Sequence, residues 1–152
     1  MLIGVISDTH GLLRPAAVAA MRGVEHILHA GDVGDMAILE ALREIAPVTA
    51  IRGNVDTTGA CAELPATDVV ELGGHLFYLV HSVHDLDINP KAAGVAMVVS
   101  GHSHKAKVEV KDGVVYFNPG SAGPRRFSLP VTVGFVTVED GVEASVKELV
   151  VE

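Results

Sequence analysis

Hydrophobic and polar positions follow two different patterns in the two halves of the chain. In the first half, short β-branched runs alternate with stretches of helical period. "LIGVIS" (residues 2–7) predicts a buried strand, and "RPAAVAAMRG" (14–23) a helix with Pro15 in its first turn and Gly23 at its stop. "HILHAG" (26–31) returns to strand. "DMAILEALREIAP" (35–47) predicts a second helix, with Asp35 as N-cap, an apolar face at Ile38, Leu39, Leu42 and Ile45, and Pro47 as terminator. "VTAIRG" (48–53) is the next strand. Strand–helix–strand–helix–strand implies a parallel sheet with crossover helices.

The second half reads as hairpins. "TDVVELGGHLFYLVH" (67–81) turns at Gly73-Gly74, and "AMVVSG" (96–101) is a further buried strand. "AKVEVKDGVVYFN" (106–118) turns at Asp112-Gly113, a favoured two-residue turn, and residues 131–152 close with a hairpin across Asp140-Gly141. Hairpins laid on βαβ units predict an α/β fold, a four-layer α/β/β/α sandwich of two mixed sheets flanked by helices, with residues 1–152 as a single domain.

Composition narrows the class. A length of 152 residues suits one domain with a substantial core, and 49% hydrophobic residues is too many for disorder. No apolar run approaches the roughly 18 residues of a membrane span, and "MLIGVISDTHG" reads as a first strand, not a signal peptide. The single Cys61 excludes an internal disulfide framework, fits a reducing cytoplasm and carries no motif. With a net charge of −8 and no basic cluster beyond Arg125-Arg126, extended nucleic acid is not an expected partner. A small anion stays within reach if a pocket is locally positive.

What changes the picture is where the polar residues fall. "GVIS" runs into Asp8-Thr9-His10, "ILHA" into Gly31-Asp32, "TAIR" into Gly53-Asn54, "FYLV" into His81, and "MVVS" into Gly101-His102-Ser103-His104. Groups at strand ends of an open α/β sheet converge on one edge, where ligands bind. Asp-x-His and His-x-His suit such an end, since strand alternation sends both side chains to one side. Taken singly, Asp-x-His is an ordinary turn, Gly-Asp another, and His81 a hydrogen-bonded core histidine. Together, Asp8, His10, Asp32, Asn54, His81, His102 and His104 are too many for one tetrahedral metal and suit two metals sharing a carboxylate. Oxygen and imidazole without thiolate favour Mn, Fe, Co or Zn. His26 and His29 read as structural, His29 also being placed to support the Asp32 loop; His75 reads as exposed, and His84 is a candidate to face the site. Asp56 reads as a brace for the Asn54 loop.

The blocks "SDTHG" (7–11), "HAGD" (29–32), "RGNVD" (52–56), "LVH" (79–81), "SGHSH" (100–104) and "NPGS" (118–121) resemble the calcineurin-like metallophosphoesterase superfamily, in particular its compact bacterial and archaeal phosphodiesterase branch. The resemblance implies one metal on Asp8, His10 and His104, a second on Asn54, His81 and His102, and Asp32 bridging them. It carries over Asp32, Asn54 and His102 as catalytic residues, with a hydroxide between the metals attacking phosphorus in line. The cofactor it implies is two divalent metal ions, Mn first, with Ni, Co, Zn or Fe compatible. "NPGS" is expected to form a tight structural loop, and Arg125 or Arg126 to be either a phosphate contact or solvated surface.

Three departures from the family pattern narrow the expectation. Val55 stands where phosphatases of the wider superfamily often place a proton-donating histidine, a residue that the compact branch also usually lacks. "HSVHD" replaces the usual glycine and second histidine after His81, and the short connection from Asn54 to His81 leaves no room for a cap domain. The expected function is a divalent-metal-dependent phosphodiesterase acting on a small phosphoester substrate, without a histidine general acid at position 55. Alternatives are a phosphomonoesterase or cyclic-nucleotide hydrolase with the same site, and a non-enzymatic, retromer-subunit-like protein-binding scaffold. Apolar content and hairpin edges also leave a homodimer open.

Overall fold

The computed structural model describes residues 1–151. Its strands are β1 (Leu2–Ile6), β2 (His26–His29), β3 (Val48–Ala50), β4 (Thr67–Leu72), β5 (His75–Val80), β6 (Val95–Val99), β7 (Lys107–Lys111), β8 (Val114–Asn118), β9 (Thr132–Val138) and β10 (Val142–Glu148). Helix α1 spans Pro15–Met21 and α2 spans Met36–Arg43. Glu152, the last residue of the expected closing hairpin, lies outside the described residues.

Two five-stranded mixed sheets pack face to face. The first has the order β10-β9-β1-β2-β3, and the second β4-β5-β6-β8-β7. In the first sheet β1, β2 and β3 run parallel and β9 antiparallel to β1, so the expected βαβαβ unit forms its centre. In the second, β5, β6 and β8 run parallel, with β4 and β7 antiparallel at the edges. The edges are the hairpins read from Gly73-Gly74 and Asp112-Gly113; Asp112 and Gly113 both have positive φ, as a tight two-residue turn requires.

Alternation along the strands builds two main cores. Ile3, Val5 and Leu28 face Phe77, Leu79, Met97 and Phe117 between the sheets. On the other side of the first sheet, Ile6 and Ile27 meet Met21 of α1 and Ile38, Leu39 and Leu42 of α2. Asp35 caps α2 as expected, its side chain accepting from the Ala37 amide at 2.9 Å. The outer layer over the second sheet is thinner. A single 3-10 turn, Val83–Asp85, and the segment after it bring Leu86 and Ile88 onto Tyr78, Val95 and Val98. Among the described residues no helix is long and apolar enough to cross a membrane.

Candidate metal centre

The strand ends meet where the two sheets share an edge. Asp8 and His10 follow β1, Asp32 follows β2, Asn54 follows β3, His81 follows β5, and His102 and His104 follow β6. Strand alternation is not what aims them. Asp8, His10, Asp32, His102 and His104 all lie beyond their strands with φ between 47° and 71°, in the left-handed region. Asp and His tolerate that conformation better than most residues, at a cost on the order of 1–2 kcal/mol each. Five such residues at one edge, out of seven non-glycine positions of positive φ among the described residues, mark a site whose geometry outranks local comfort.

Two close approaches make the edge this tight. A Cβ on Gly53 would run into the Asp32 carboxylate, and one on Gly101 into the Ser7 hydroxyl. Only a residue without a side chain lets these loops pass.

Within the cluster, acceptors face acceptors. Asp8 Oδ1 lies 3.7 Å from His10 Nε2, 3.8 Å from His81 Nε2 and 3.5 Å from His104 Nε2. Asp32 Oδ2 lies 3.5 Å from His10 Nε2 and 3.1 Å from His81 Nε2. His10 and His104 bring their Nε2 atoms to 3.3 Å. Asp8 Oδ1, His81 Nε2 and His104 Nδ1 are buried with no hydrogen-bond partner among the described residues. Orphaned buried polar atoms are costly unless something else binds them. Ligand atoms about 2.1 Å from one divalent ion stand ~3.0–3.5 Å apart, close to the spacing here. Two groups have the composition for this, Asp8 with His10 and His104, and Asp8 with Asp32 and His81. Bridging was expected of Asp32 alone; in the structure both carboxylates reach across the cluster.

Asp8, Asp32 and His81 are each held by one atom and present another. Ser7 Oγ and the His102 amide donate to Asp8 Oδ2 at 2.8 and 3.1 Å, leaving Oδ1 inward. The Val55 amide donates to Asp32 Oδ1 at 3.0 Å, leaving Oδ2. His81 Nδ1–H donates to the Ala30 carbonyl at 2.7 Å, which leaves the Nε2 lone pair for a cation. Asn54 and His102 sit at the exposed rim, Asn54 Oδ1 and His102 Nδ1 being 3.1 Å apart and the His102 ring edge-on to His81.

Electrostatics agree with a centre built for positive charge. Burial pushes the Asp8 carboxyl up, against the pull of His81, the Ser7 hydrogen bond and His104. Burial would raise Asp32 too, but the His81 ring 3.1 Å away, the Val55 amide and the charge of His10 hold it down to about 2. His81 is raised despite its burial, chiefly by the neighbouring Asp32 carboxylate and the Ala30 carbonyl, with Asp8 adding to this. Burial lowers His104, and Arg126 adds to this.

The surrounding residues are a scaffold. Asp56 accepts from the amides of Val33, Gly34 and Gly53 at 3.0, 2.9 and 2.9 Å, tying the β2 and β3 loops together as the sequence suggested. Fully buried His29 donates from Nε2 to Thr9 Oγ1 at 3.0 Å and accepts the Gly31 amide on Nδ1 at 3.1 Å. Asn118 donates to the Gly101 carbonyl at 2.9 Å and Ser121 Oγ to the Asp8 carbonyl at 3.1 Å, so "NPGS" braces the site. Ser7 and Thr9 escaped the sequence reading; their only signal was that they flank Asp8. Arg125 and Arg126 are exposed, and the charge of Arg126 reaches His104. His26 bonds Thr49 Oγ1 at 2.8 Å, and His75 is half-buried, away from the cluster. His84 is exposed and lines a groove of about 580 Å³ that opens at His102.

Comparison with known proteins gives the same direction from sequence. The family model of the calcineurin-like phosphoesterase superfamily domain matches residues 1–141. A probable metallophosphoesterase of Methanocaldococcus jannaschii is 34% identical, over 95% of this chain and 79% of its own. A solved archaeal phosphodiesterase superposes with a TM-score of 0.79 at 25% identity, covering 97% of this chain and 100% of that one. Vps29 of Chaetomium thermophilum superposes with a TM-score of 0.78 at 19% identity over 97% and 95% of the chains, a likeness of fold alone.

Proposed function

Because the chain belongs to the calcineurin-like phosphoesterase superfamily, we propose that it is a divalent-metal-dependent phosphodiesterase for small phosphoesters, with two metals of which manganese is the first choice. One observation carries this reading. Asp8 Oδ1 and His81 Nε2 are buried, unpartnered and 3.8 Å apart, with His10, His104 and Asp32 aimed at the same point. Asp8, His10 and His104 would hold one ion. His81 and the rim pair Asn54 and His102 would hold the other, with Asp32 between. Two ions so held supply positive charge to the phosphoryl oxygens and a water of lowered pKa.

The chain's own residues set the rest of the chemistry. The Val55 amide, the Ala30 carbonyl and Ser7 fix the orientation of Asp32, His81 and Asp8 before substrate arrives. Val55 is 44% exposed beside the rim and has no proton to give. Departure of the alcohol therefore depends on its own acidity.

The test is a series of Mn-loaded assays on methyl phosphodiesters whose second arm runs from p-nitrophenyl to phenyl to alkyl. The reading expects kcat/KM to fall at least about tenfold from nitrophenyl to phenyl, and p-nitrophenyl diesters to be cleaved faster than the monoester. Monoester preference would replace this reading with a phosphomonoesterase. A flat series, with single-turnover rates confirming that chemistry limits, would overturn the absence of a general acid. A protein that neither retains metal nor cleaves any ester would favour a binding scaffold.

A further inference from the structure

The groove that opens at His102 lies outside the metal cluster and has a charge unlike the rest of the molecule. It runs over the outer face of the second sheet, between the Val83–Asp85 turn and strands β7 and β8. Lys105, Lys107 and Lys111 line it, three of the five lysines in a chain of net charge −8. Register explains the clustering. Lys107, Glu109 and Lys111 alternate along β7 onto one face, opposite Asn118, Tyr116 and Val114 of β8. Lys105 follows His104 directly and has no carboxylate partner among the described residues. Only Glu109 opposes them, 3.1 Å from Lys107 Nζ, while Lys111 Nζ stands 5.7 Å from the Tyr116 ring centre. The groove thus carries two net positive charges. Val83, 41% exposed, and Ala106 give it an apolar wall near His102. At about 580 Å³ it has room for a group of nucleotide size.

We infer that this groove receives one arm of the substrate, and that the arm bears a second phosphate group as a dianion. The inference rests on the phosphodiesterase reading and specifies its substrate class. With the scissile phosphodiester at the metal cluster, the arm leaves past His102 along the Val83 and Ala106 wall, and its terminal phosphate meets Lys105, Lys107 and Lys111. A dianion matches two net positive charges. A neutral arm gains nothing from the lysines, and a cationic arm is repelled. In a chain so acidic overall, this groove supplies the local attraction that a polyanionic small substrate needs.

Two probes with one leaving group separate the arm from the chemistry: thymidine 5′-(p-nitrophenyl phosphate) with a free 3′-hydroxyl, and the same ester carrying a 3′-phosphate. Mn-loaded protein should cleave the 3′-phosphorylated probe with kcat/KM about tenfold higher, the gain lying in KM and shrinking as salt rises. The K105Q/K107Q/K111Q variant should bring the ratio between the probes to about one. Glu109→Gln should raise the ratio severalfold, a gain that misfolding cannot imitate. Independently of turnover, thymidine 3′,5′-bisphosphate should shift the backbone amide resonances of Lys105, Lys107 and Tyr116. Cleavage of both probes with equal kcat/KM, or an unchanged ratio in the triple variant, overturns the groove assignment and leaves the phosphodiesterase reading standing. Loss of cleavage of every probe overturns that reading, and the amide shifts then decide the groove alone, their absence sinking it.

Discussion

At the residue scale, the centre trades stability for poise, and two substitutions measure the trade. Asp8 is fully buried with Oδ1 unpartnered, and burial raises its carboxyl. A buried carboxylate without a cation is costly. Asp8→Asn keeps an acceptor for Ser7 and the His102 amide while removing the charge. The metal-free variant should therefore melt above the metal-free parent, and its Mn affinity should fall more than about tenfold. A lower Tm of the metal-free variant, or undiminished affinity, would contradict this account. His29 gives a second measure. Burial lowers it to about 4, so the folded protein keeps it neutral where the unfolded chain, titrating near 6.5, takes up a proton. Its stabilising contribution is complete above pH ~6.5 and is lost progressively as the pH falls towards 4. That gap is worth on the order of 3 kcal/mol at 1.36 kcal/mol per pH unit. Urea midpoints of the metal-free protein should drop across this window, and His29→Gln should flatten the drop; an equally steep profile in the variant would rule His29 out as its source.

At the scale of elements, the loops after β2 and β3 are held by one carboxylate. Asp56 accepts three amides, from Val33, Gly34 and Gly53. Asp56→Ala leaves those donors without their partner, costing roughly 3 kcal/mol, or a Tm lower by about 6–12 °C for a chain of this size. Measured without metal, the loss separates bracing from ligation; a Tm within about 2 °C of the parent would mean that other groups brace these loops. Much of this scale was readable from the sequence. Strand periods, the Asp35 cap and the glycine turns are local signals, and residue type alone marked Asp8, His10, Asp32, Asn54, His81, His102 and His104 as strand-end groups. Asp56 was readable because a buried-looking carboxylate follows a Gly-Asn turn. Three things were not. The left-handed φ of Asp8 and Asp32 goes with loops packed closely together, Gly53 against Asp32 and Gly101 against Ser7 and Asp8, a fit that no single segment encodes. The reach of Asp8 across the cluster depends on rotamers set by Ser7 and the His102 amide. The thin layer of Leu86 and Ile88 over the second sheet has no period to read, because a short irregular segment covers apolar strands without forming a helix.

For the whole molecule, the candidate ligands come from both sheets. Asp8, His10, Asp32 and Asn54 follow strands of the first, whereas His81, His102 and His104 follow strands of the second. A cation at the cluster therefore ties two halves that also meet through apolar packing of Ile3, Val5 and Leu28 on Phe77, Leu79 and Phe117 and through hydrogen bonds such as His81 to the Ala30 carbonyl. Binding only the folded state, an ion at a hundred times its Kd stabilises by about 2.7 kcal/mol per site. For a chain of this size that corresponds to a Tm rise of roughly 5–10 °C for one site. Mn should produce such a rise and chelator should reverse it, and the rise should shrink in Asp8→Asn. Hydrogen exchange locates the effect. Residues 8–11, 31–34, 53–56 and 101–105, whose loops cross the junction, should gain protection with Mn, whereas the far hairpin of β9 and β10 should gain only through the global term. A Tm indifferent to Mn would mean that the acceptors facing one another at this edge are not joined by a cation. A rise in which those loops gain no more than the far hairpin would place the ion elsewhere. Protection at those four loops in excess of the global gain ties the stability of the molecule to the same atoms that are placed to hold a cation.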